Sequence, residues 1–382
     1  MPDELINFFP TLEVGAWVLL GLAAAVYLLR IGYDILFWGR TAFCRVAPPG
    51  AAAVQFTVFM VERNEEANLR QNLPSWLSMS YPHYEVVVVD DFSEDHSLAT
   101  LGVLRQQYSR LKITGLNQET RFSGKLARNL ALKAAAHEVV VLVDPAAGVP
   151  DNHWLPLLAS SVAAGKKVVA GYWGIAPGKG FFHRLYRAEL FFQQTESMGY
   201  CLNGLPFVIS EENVAFAKQA YFENGGFAGK IREEYAHLEL VINSFVRRKQ
   251  VAVLPVGNAA VRKRLNAGRQ EYFDLLHRSF RIKSYLSFGK KLVLFFDQLS
   301  YLLLLPVFAL VLILYPQLWL VVAILLFLKI ILYSLIINKL LNRLTEPKLF
   351  LPSLLYGFLA PYGKLVVKWR FYRARQQRKW SN

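Results

Sequence analysis

The stretch EVVVLVDPAAGVP, residues 138–150, places one carboxylate directly after a run of apolar residues. Val139–Val143 predicts a buried parallel strand, and such a strand delivers Asp144 to the edge of a sheet where ligands bind. Pro145 then ends the strand. A divalent cation requires several oxygen ligands, so a second acid is expected nearby, yet Pro145, Ala146 and Ala147 follow Asp144. The stretch therefore predicts a ligand-binding edge with a weakened metal site.

Polar side chains also follow the other apolar runs of the middle of the chain. The strand-edge set comprises Glu62, Arg63, Asn64, Glu65, Asp90, Asp91 and Asp144. A lone acid after a strand is often a helix N-cap, and Asp91 and Asp151 are open to that interpretation. Because the polar clusters end several strands in one register, they favour a binding cleft.

Alternating strand and helix signals across residues 51–260 position these side chains. The strand-like runs are FTVFM (Phe56–Met60), YEVVVVDD (Tyr84–Asp91), LKIT (Leu111–Thr114), the run before Asp144, and KVVAGYW (Lys167–Trp173). Helical stretches separate them, which predicts an α/β fold with a mostly parallel sheet and helices on both faces. The chain has no glycine-rich phosphate fingerprint of the GxGxxG or GxxxxGK type.

The composition indicates a membrane protein with an anionic partner. Hydrophobic residues make up 54% of the 382 residues, above the usual value for a soluble protein. The net charge of +15 favours nucleic acid, a phosphate-bearing substrate or an anionic lipid surface. No DNA-binding motif or aromatic-basic platform accompanies the charge, so a nucleic-acid partner is not expected. The two cysteines exclude a disulfide framework and favour a reducing compartment.

Three apolar segments predict membrane helices, at about residues 14–38, 292–315 and 318–337. The last two form a tight helical hairpin, and within the first segment Arg30 and Asp34 are spaced to pair. The acidic N-terminus and the basic residues after the first span put the N-terminus outside and the middle region in the cytoplasm. A fourth stretch, residues 351–369, is interrupted by glycine and proline, and we expect it to be re-entrant or interfacial. An ordinary fourth span is the alternative.

These observations divide the chain into six regions. They are an N-terminal transmembrane helix (1–38), a linker (39–50), the α/β domain (51–260), a basic interfacial segment (261–291), a transmembrane hairpin (292–339), and a re-entrant or interfacial segment with a basic cytoplasmic tail (340–382).

Five motifs in order resemble family 2 glycosyltransferases with a GT-A fold. They are VFMVERNEEANL (Val58–Leu69), SYPHYEVVVVDDFSEDHS (Ser80–Ser97), SGKLARNLALKAA (Ser123–Ala135), EVVVLVDPAAGVPDNHWL (Glu138–Leu155) and ENVAFAKQAYFENGGF (Glu212–Phe227). The resemblance covers about residues 54–255, and the flanking spans are similar to those of membrane-anchored bacterial members. It implies a multi-pass protein of the bacterial inner membrane, with the domain in the cytoplasm, that uses a nucleotide sugar and a lipid-linked or polysaccharide acceptor.

The resemblance also assigns roles on the donor side. Asp90 or Asp91 is expected to bind the nucleotide base, with Glu65 nearby, and Arg63 and Lys125 are candidates for the diphosphate. Lys125 is equally open to being a solvated surface lysine. The basic stretch Arg262–Lys291 is expected to contact phosphates, anionic lipid or both.

Three departures from the family pattern concern the reaction side. Asp144 alone at the metal site implies weak binding of Mg²⁺ or Mn²⁺. The slots of the family's catalytic base hold Tyr235, Ala236 and His237, and the interfacial Gln-x-x-Arg-Trp motif is absent from LLHRSFRIK (Leu275–Lys283).

Three side chains near those slots are candidate bases: Glu234, His237 and Glu239. In the alternative interpretation all three lie on the exposed face of a helix spanning Arg232–Arg248. Two functions stay open at this point: an active membrane glycosyltransferase, or a non-catalytic relative that binds nucleotide or partners another membrane enzyme.

Overall fold

The computed structural model describes residues 14–50 and 53–380. The acidic residues before Val14, on which part of the topology prediction rests, lie outside that part of the chain. The strands of the described residues are β1 (Phe56–Glu62), β2 (Tyr84–Asp90), β3 (Leu111–Gly115), β4 (Val139–Leu142), β5 (Ala147–Gly148), β6 (Val168–Gly171), β7 (Trp173–Ile175), β8 (Val214–Ala217), β9 (Val251–Leu254) and β10 (Val261–Lys263).

The helices fall into those of the α/β domain and those of the apolar segments. They are α1 (Val14–Tyr33), α2 (Arg40–Phe43), α3 (Glu66–Leu77), α4 (Ser97–Gln107), α5 (Ser123–Ala134), α6 (Trp154–Ala163), α7 (Phe181–Leu202), α8 (Lys218–Glu223), α9 (Leu238–Phe245), α10 (Arg269–Ser284), α11 (Phe288–Leu314), α12 (Trp319–Arg343) and α13 (Phe350–Trp380). A π-helical turn, Asp34–Gly39, joins α1 to α2.

A seven-stranded sheet in the order β3-β2-β1-β4-β8-β6-β9 forms the centre of the domain. All neighbouring strands are parallel except β8, which runs antiparallel to β4 and β6. The valine-rich runs of β1, β2 and β4 are buried because helices cover both faces of the sheet. This confirms the predicted α/β fold.

The register of the sheet brings the strand-edge acids to one side. Glu62 at the end of β1 pairs with Asp90 at the end of β2, and β4, beside β1, ends two residues before Asp144. The carboxyl ends of parallel strands share an edge, so these three carboxylates line the same cleft.

A second, three-stranded sheet in the order β5-β10-β7 lies against this edge. In its antiparallel pairing, Lys263 of β10 stands opposite Ala147 of β5. The α/β unit therefore continues to Lys263, past the predicted boundary at residue 260. This pairing places Lys263, from late in the chain, beside β5, which begins three residues after Asp144.

The apolar helices pack directly on the α/β domain. Phe37 and Trp38 belong to the same hydrophobic cluster as Val140 of β4 and Ile336 of α12. The rings of Phe37 and Tyr200 lie 4.4 Å apart, centre to centre. Because the two parts share one core, the cleft has a defined position relative to the apolar helices.

Among the described residues, four helical segments are long and apolar enough to cross a membrane: Val14–Phe43, Phe288–Leu314, Pro316–Arg343 and Phe350–Ala374. The second and third form the predicted hairpin, joined by a short turn at Pro316–Leu318. The ion pair predicted within the first segment is present at 2.9 Å between Arg30 and Asp34, and Arg30 also pairs with Asp297 at 2.6 Å. Charges buried among apolar helices are thereby compensated.

Helix α13 corrects one prediction. It is continuous through Gly357 and Pro361, so this stretch does not fold back as a re-entrant segment. The helix runs beside the domain: the Tyr356 hydroxyl donates to Glu189 of α7, and that of Tyr372 donates to the carbonyl of Phe280 in α10. These contacts are consistent with the interfacial placement, which stays a prediction.

Candidate functional site

Asp91 is the carboxylate on the β2 side of the cleft that keeps an oxygen for a ligand. Its Oδ2 accepts a hydrogen bond from Ser123 Oγ at 3.1 Å, and its buried Oδ1 has no partner among the described residues. Burial raises the pKa of this carboxyl. Since Asp91 accepts from α5 and not from the start of α4, the N-cap interpretation is wrong for this residue.

Asp90 and Glu62 support the turn beside Asp91. Asp90 Oδ2 accepts from the Ser93 amide at 3.2 Å. Burial and a hydrogen bond with Asp90 raise the pKa of Glu62 to about 8. Glu62 is therefore protonated at neutral pH, and its proton allows two buried carboxyls to lie side by side. Asp91, the next residue beyond β2, takes no part in the hydrogen bond between Glu62 and Asp90.

Arg63 and Glu65 follow β1, and they differ in how accessible their side chains are to a ligand. Arg63 pairs with Glu119 at 2.7 Å while 36% of its side chain is exposed, so it remains accessible from the cleft. Glu65 accepts a hydrogen bond from Asn68 Nδ2 at 2.5 Å, which holds its carboxylate against the start of α3.

Lys125 is buried, so the solvated-surface alternative is wrong. Its Nζ donates to the carbonyl oxygen of Ile231 at 3.1 Å and to that of Glu233. Burial lowers its pKa, and Glu233 opposes that shift. The ammonium thus anchors the loop that leads to α9, and its role towards a diphosphate stays a prediction.

The reaction side of the cleft contains the triad Asp144–Lys263–Glu212. Lys263 Nζ lies 3.0 Å from Asp144 Oδ2 and 3.5 Å from Glu212 Oε1. Asp144 Oδ1 accepts from the Ala146 amide at 2.8 Å, which fixes the orientation of its carboxylate. The exposed fractions of the side chains are 24% for Asp144, 17% for Lys263 and 11% for Glu212, so a ligand in the cleft reaches all three.

Glu212 is held next to the end of β4 by its neighbour Asn213. Glu212 bridges to Leu142, and Asn213 adopts a left-handed conformation with φ 56°. The buried amide of Asn213 donates to the carbonyls of Tyr172 and Ala259 and accepts from Trp154 Nε1. These three bonds maintain a backbone conformation that few residues adopt.

Electrostatics give the triad one fixed charge and one titratable acid. Burial raises the pKa of Glu212 to about 7, against the opposing effect of Lys263. Burial acts to lower the pKa of Lys263, but Glu212 and Asp144 outweigh it and raise that pKa. Lys263 is therefore a cation at neutral pH, while Glu212 changes charge in that range.

Behind the triad, arginines pair with two more acids. Arg128 makes a bidentate pair with Glu211, with the closer contact at 2.7 Å, and Arg278 pairs with Glu239 at 2.8 Å and with Glu211 at 3.4 Å. Glu239 is fully buried, so the alternative that placed it on an exposed helix face is wrong.

The same correction applies to the local helix, because the observed α9 covers only Leu238–Phe245. His237 comes directly before it. Burial, reinforced by Arg128, lowers the pKa of His237 to about 3, so it is neutral and only weakly basic. Glu234 is exposed and pairs with Arg121 at 3.4 Å. The structure thus separates the three candidate bases into a buried acid paired with arginine, a neutral imidazole and a solvated acid.

Sequence reasoning missed Lys263, Glu212 and the arginines of the network. Lys263 lies in a basic run that resembled a membrane-facing segment, and its partner Asp144 precedes it by 119 positions. A weak signal existed for Glu212: two adjacent acids precede Asn213 at the start of a motif the sequence had singled out.

The residues around Asp144 do not fit the divalent cation that the fold family implies. Within the described residues, no group of three or more His, Cys, Asp or Glu side chains has the arrangement of a metal site. Mg²⁺ and Mn²⁺ need several oxygen ligands, whereas the ammonium of Lys263 lies between the two available carboxylates. A second cation there is repelled by the first.

A cavity of about 500 Å³ lies between α7, α10, α11 and α13. Four lysines line it together with aromatic side chains: Lys283, Lys291, Lys364 and Lys368. Lys283 and Lys364 pair with Glu196 and Glu189. Lys291 and Lys368 have no ion pair among the described residues. The cavity therefore combines apolar walls with two uncompensated positive charges.

Helix α7 connects this cavity to the triad. Burial raises the pKa of Tyr186, and Lys263, Glu212 and Asp144 lie close enough to act on it. Glu189 and Gln193, on the same face of the helix, line the cavity. The rise along the helix from Tyr186 to Gln193 is about 10 Å.

Comparison with known proteins supports this description. Residues 57–266 match the profile described as Glycosyl transferase family 2. The amylovoran biosynthesis glycosyltransferase AmsB of Erwinia amylovora is 29% identical over 101 residues, 26% of this chain and 32% of that protein. The beta-monoglucosyldiacylglycerol synthase of Synechocystis is 32% identical over 100 residues, 26% of this chain and 21% of that protein. The matched stretch thus spans a third or less of these curated relatives.

Two solved structures show the range of structural similarity. S. aureus TarS 1–349 aligns with a TM-score of 0.45 and 17% identity, over 65% of this chain and 72% of that one. The mannosyltransferase PcManGT from Pyrobaculum calidifontis, solved with GDP-Man and Mn²⁺, aligns with a TM-score of 0.49 and 17% identity, over 86% and 99% of the two chains.

Proposed function

Because the chain belongs to glycosyltransferase family 2, we propose that it transfers a sugar from a nucleotide sugar to a lipid-linked acceptor at a membrane surface. The observation that carries the proposal is the triad at the ligand-binding edge of the sheet, with two further features beside it. Asp91, whose buried Oδ1 has no partner among the described residues, follows the neighbouring strand β2, and α7 runs from Tyr186, beside the triad, to the lysine-lined cavity.

On the donor side, Asp91 Oδ1 accepts a hydrogen bond from the nucleotide base. A buried acceptor without a protein partner is costly unless a ligand satisfies it. The exposed guanidinium of Arg63 lies nearby and pairs with a phosphate once it leaves Glu119. Asp90 and Glu62 keep the turn rigid, so the base meets a preformed site.

In the transfer step, the bond between the sugar's anomeric carbon and the diphosphate oxygen breaks, and the acceptor oxygen bonds to that carbon. The acceptor hydroxyl gives its proton to a base, and the nucleoside diphosphate leaves with the electron pair. We assign the base to Glu212, whose pKa of about 7 suits proton transfer near neutral pH. Glu239 is fully buried and paired with Arg278, His237 is weakly basic, and Glu234 is paired in solvent.

On the acceptor side, the cavity suits a lipid with an anionic head group. Its volume lies in the range of roughly 300–1,000 Å³ that is usual for small-molecule sites. Lys291 and Lys368 offer charge to a phosphate, and the aromatic walls accept an acyl or prenyl chain. We further propose that the site faces the cytoplasm at a bacterial inner membrane, which the basic flanks of the apolar helices support.

A second candidate function is nucleotide binding without transfer. It is favoured by the loss of the second metal-site acid at Ala146 and of an acid in the slots of the family's base, which hold Tyr235, Ala236 and His237. In that case the protein acts as a partner of another membrane enzyme.

The experiment that tests the proposal uses the full chain in nanodiscs made with bacterial lipid extract. Radiolabelled UDP- and GDP-sugars are added, and label is counted in the organic phase. Label there supports transfer to lipid, whereas label only in aqueous polymer supports a polysaccharide acceptor. We expect Lys291→Glu/Lys368→Glu to lower incorporation roughly tenfold or more, and Lys133→Glu, on the far end of α5, to leave it unchanged. Nucleotide binding without any incorporation supports the second candidate.

A further inference from the structure

We propose that the ammonium group of Lys263 replaces the divalent cation in this protein, so that the donor diphosphate is bound and neutralised without metal. The proposal rests on the proposed function, since it concerns the diphosphate of a nucleotide sugar. It predicts a chelator-resistant enzyme in a family whose fold implies a metal.

The position of Lys263 is the first argument. Asp144 is the acid that matches the family's metal site, and Lys263 Nζ lies 3.0 Å from it, with Glu212 Oε1 at 3.5 Å. The pairing of β10 with β5 places Lys263 opposite Ala147, so the backbone of the second sheet holds the cation at the strand end. The face of Trp173 lies 5.2 Å from the ammonium and limits its movement.

The chemistry of the ammonium is the second argument. It carries three N–H donors, of which Asp144 accepts one, so donors remain for phosphate oxygens. Its charge is permanent at neutral pH, and its side chain is open to the cleft. Lysine is a common phosphate ligand that acts as a point charge. When the bond to the sugar breaks, the charge that develops on the diphosphate is stabilised by this cation.

The loss of the second acid is the third argument. With Ala146 in its place, the site offers two carboxylates, one lysine and no further acidic ligand. An aspartate at position 146 would add a negative charge that the single ammonium of Lys263 could not neutralise. The alanine and the lysine therefore form a consistent pair of changes, one removing a metal ligand and the other supplying the cation.

The test is calorimetric titration of the full chain in nanodiscs with UDP, GDP, CDP and dTDP, in EDTA and then in MnCl₂. We expect at least one nucleotide to bind with the same affinity in both. Lys263→Met should lower that affinity roughly 10- to 100-fold, the usual effect of losing a hydrogen bond to a charged group. Lys133→Met makes the same charge change at the C-terminal end of α5, and we expect it to have no effect.

A second variant keeps the test decisive if Lys263→Met unfolds. Lys263→Asp places a third carboxylate beside Asp144 and Glu212, and we expect it to bind nucleotide in MnCl₂ only. Binding of the native chain that requires MnCl₂, wild-type affinity of Lys263→Met, or metal-free binding by Lys263→Asp would each overturn the proposal and leave the proposed function intact. Binding of none of the nucleotides by the native chain under either condition would overturn the proposed function itself.

Discussion

The cleft has two sides, one around Asp91, called the base side here after the nucleotide base, and one around the triad, called the reaction side. The two sides compensate their buried carboxylates in different ways. On the base side, protons and hydroxyl groups do so: Glu62 keeps its proton beside Asp90, and Asp91 accepts from Ser123. On the reaction side, basic side chains do so, and Asp144 pairs with Lys263. Glu211 and Glu239 are paired in the same way, by arginines.

The contrast shows what each side has left for a ligand. Arg278 pairs with one oxygen of Glu239, and the buried Oε2 of that carboxyl has no hydrogen-bond partner among the described residues. Asp91 keeps an open oxygen, and Glu212 has only the longer 3.5 Å contact with Lys263. The partner of an acid therefore indicates its role better than its position in a motif.

The largest expected effect is that of Glu212→Gln. The amide keeps the shape of the side chain but accepts no proton, so we expect kcat to fall roughly 10²- to 10⁴-fold. Nucleotide affinity should stay close to that of the native chain, because Asp91 and Lys263 are unchanged. The measurement is label transfer to lipid together with calorimetry. Activity that survives Glu212→Gln but not His237→Ala or Glu239→Gln would show that the base belongs to the sequence-derived candidates.

The pH profile sharpens the same assignment. Glu212 acts as a base only when deprotonated, and its pKa is raised to about 7. We expect kcat/KM to be constant above that value and to fall about tenfold per pH unit below it. In Glu212→Gln the residual rate should lose this acidic limb. A limb near pH 4 instead would point to an acid of ordinary pKa.

Asp91→Ala tests the base side and should weaken nucleotide binding roughly 10- to 100-fold through loss of a buried acceptor. The affinity for the nucleoside without phosphates should fall by the same factor, whereas Lys263→Met should affect the diphosphate only. Ser123→Ala is the matched control, since it removes only the support of Asp91. If Asp91→Ala and Lys263→Met each lowered the affinities for nucleoside and for nucleoside diphosphate by the same factor, the distinction between the two sides would be wrong.

Glu62→Gln probes the protonated pair through stability. A folded-state pKa of about 8 against the ordinary value of 4.5 means that the folded chain holds more protons between these values. Its contribution is therefore present at low pH and is lost as pH rises from 4.5 to 8, by at most about 1.4 kcal/mol per pH unit. We expect the melting temperature to fall less between pH 6 and pH 8.5 in Glu62→Gln than in the native chain.

The smallest expected effect is that of Glu234→Ala. The pair with Arg121 is exposed at both partners, so activity should stay within about twofold and stability within about 0.5 kcal/mol. Arg121→Ala serves as the companion variant. A large loss of kcat in Glu234→Ala would restore this acid as the base and remove Glu212 from the mechanism.

Much of the donor side was predictable because its signals are local. The valine-rich strands, the acids directly after them and the pairing of Arg30 with Asp34 depend on spacing within a few residues. The boundaries of α9 and the burial of Lys125 were not predictable in this way. Lys125 lies on a polar helix surface by sequence and becomes buried only because the loop at Ile231 folds over it.

The amino-acid sequence by itself determined the parallel sheet, the edge that holds Asp91 and Asp144, the apolar helices and the family. These features follow from periodicity and motif order. Only the tertiary structure decided which cation faces Asp144, because Lys263 is 119 residues away and arrives through the pairing of β10 with β5. It also decided which acid stays titratable, since burial and distance to a basic partner separate Glu212 from Glu211 and Glu239. Such contacts between distant residues have no local sequence pattern.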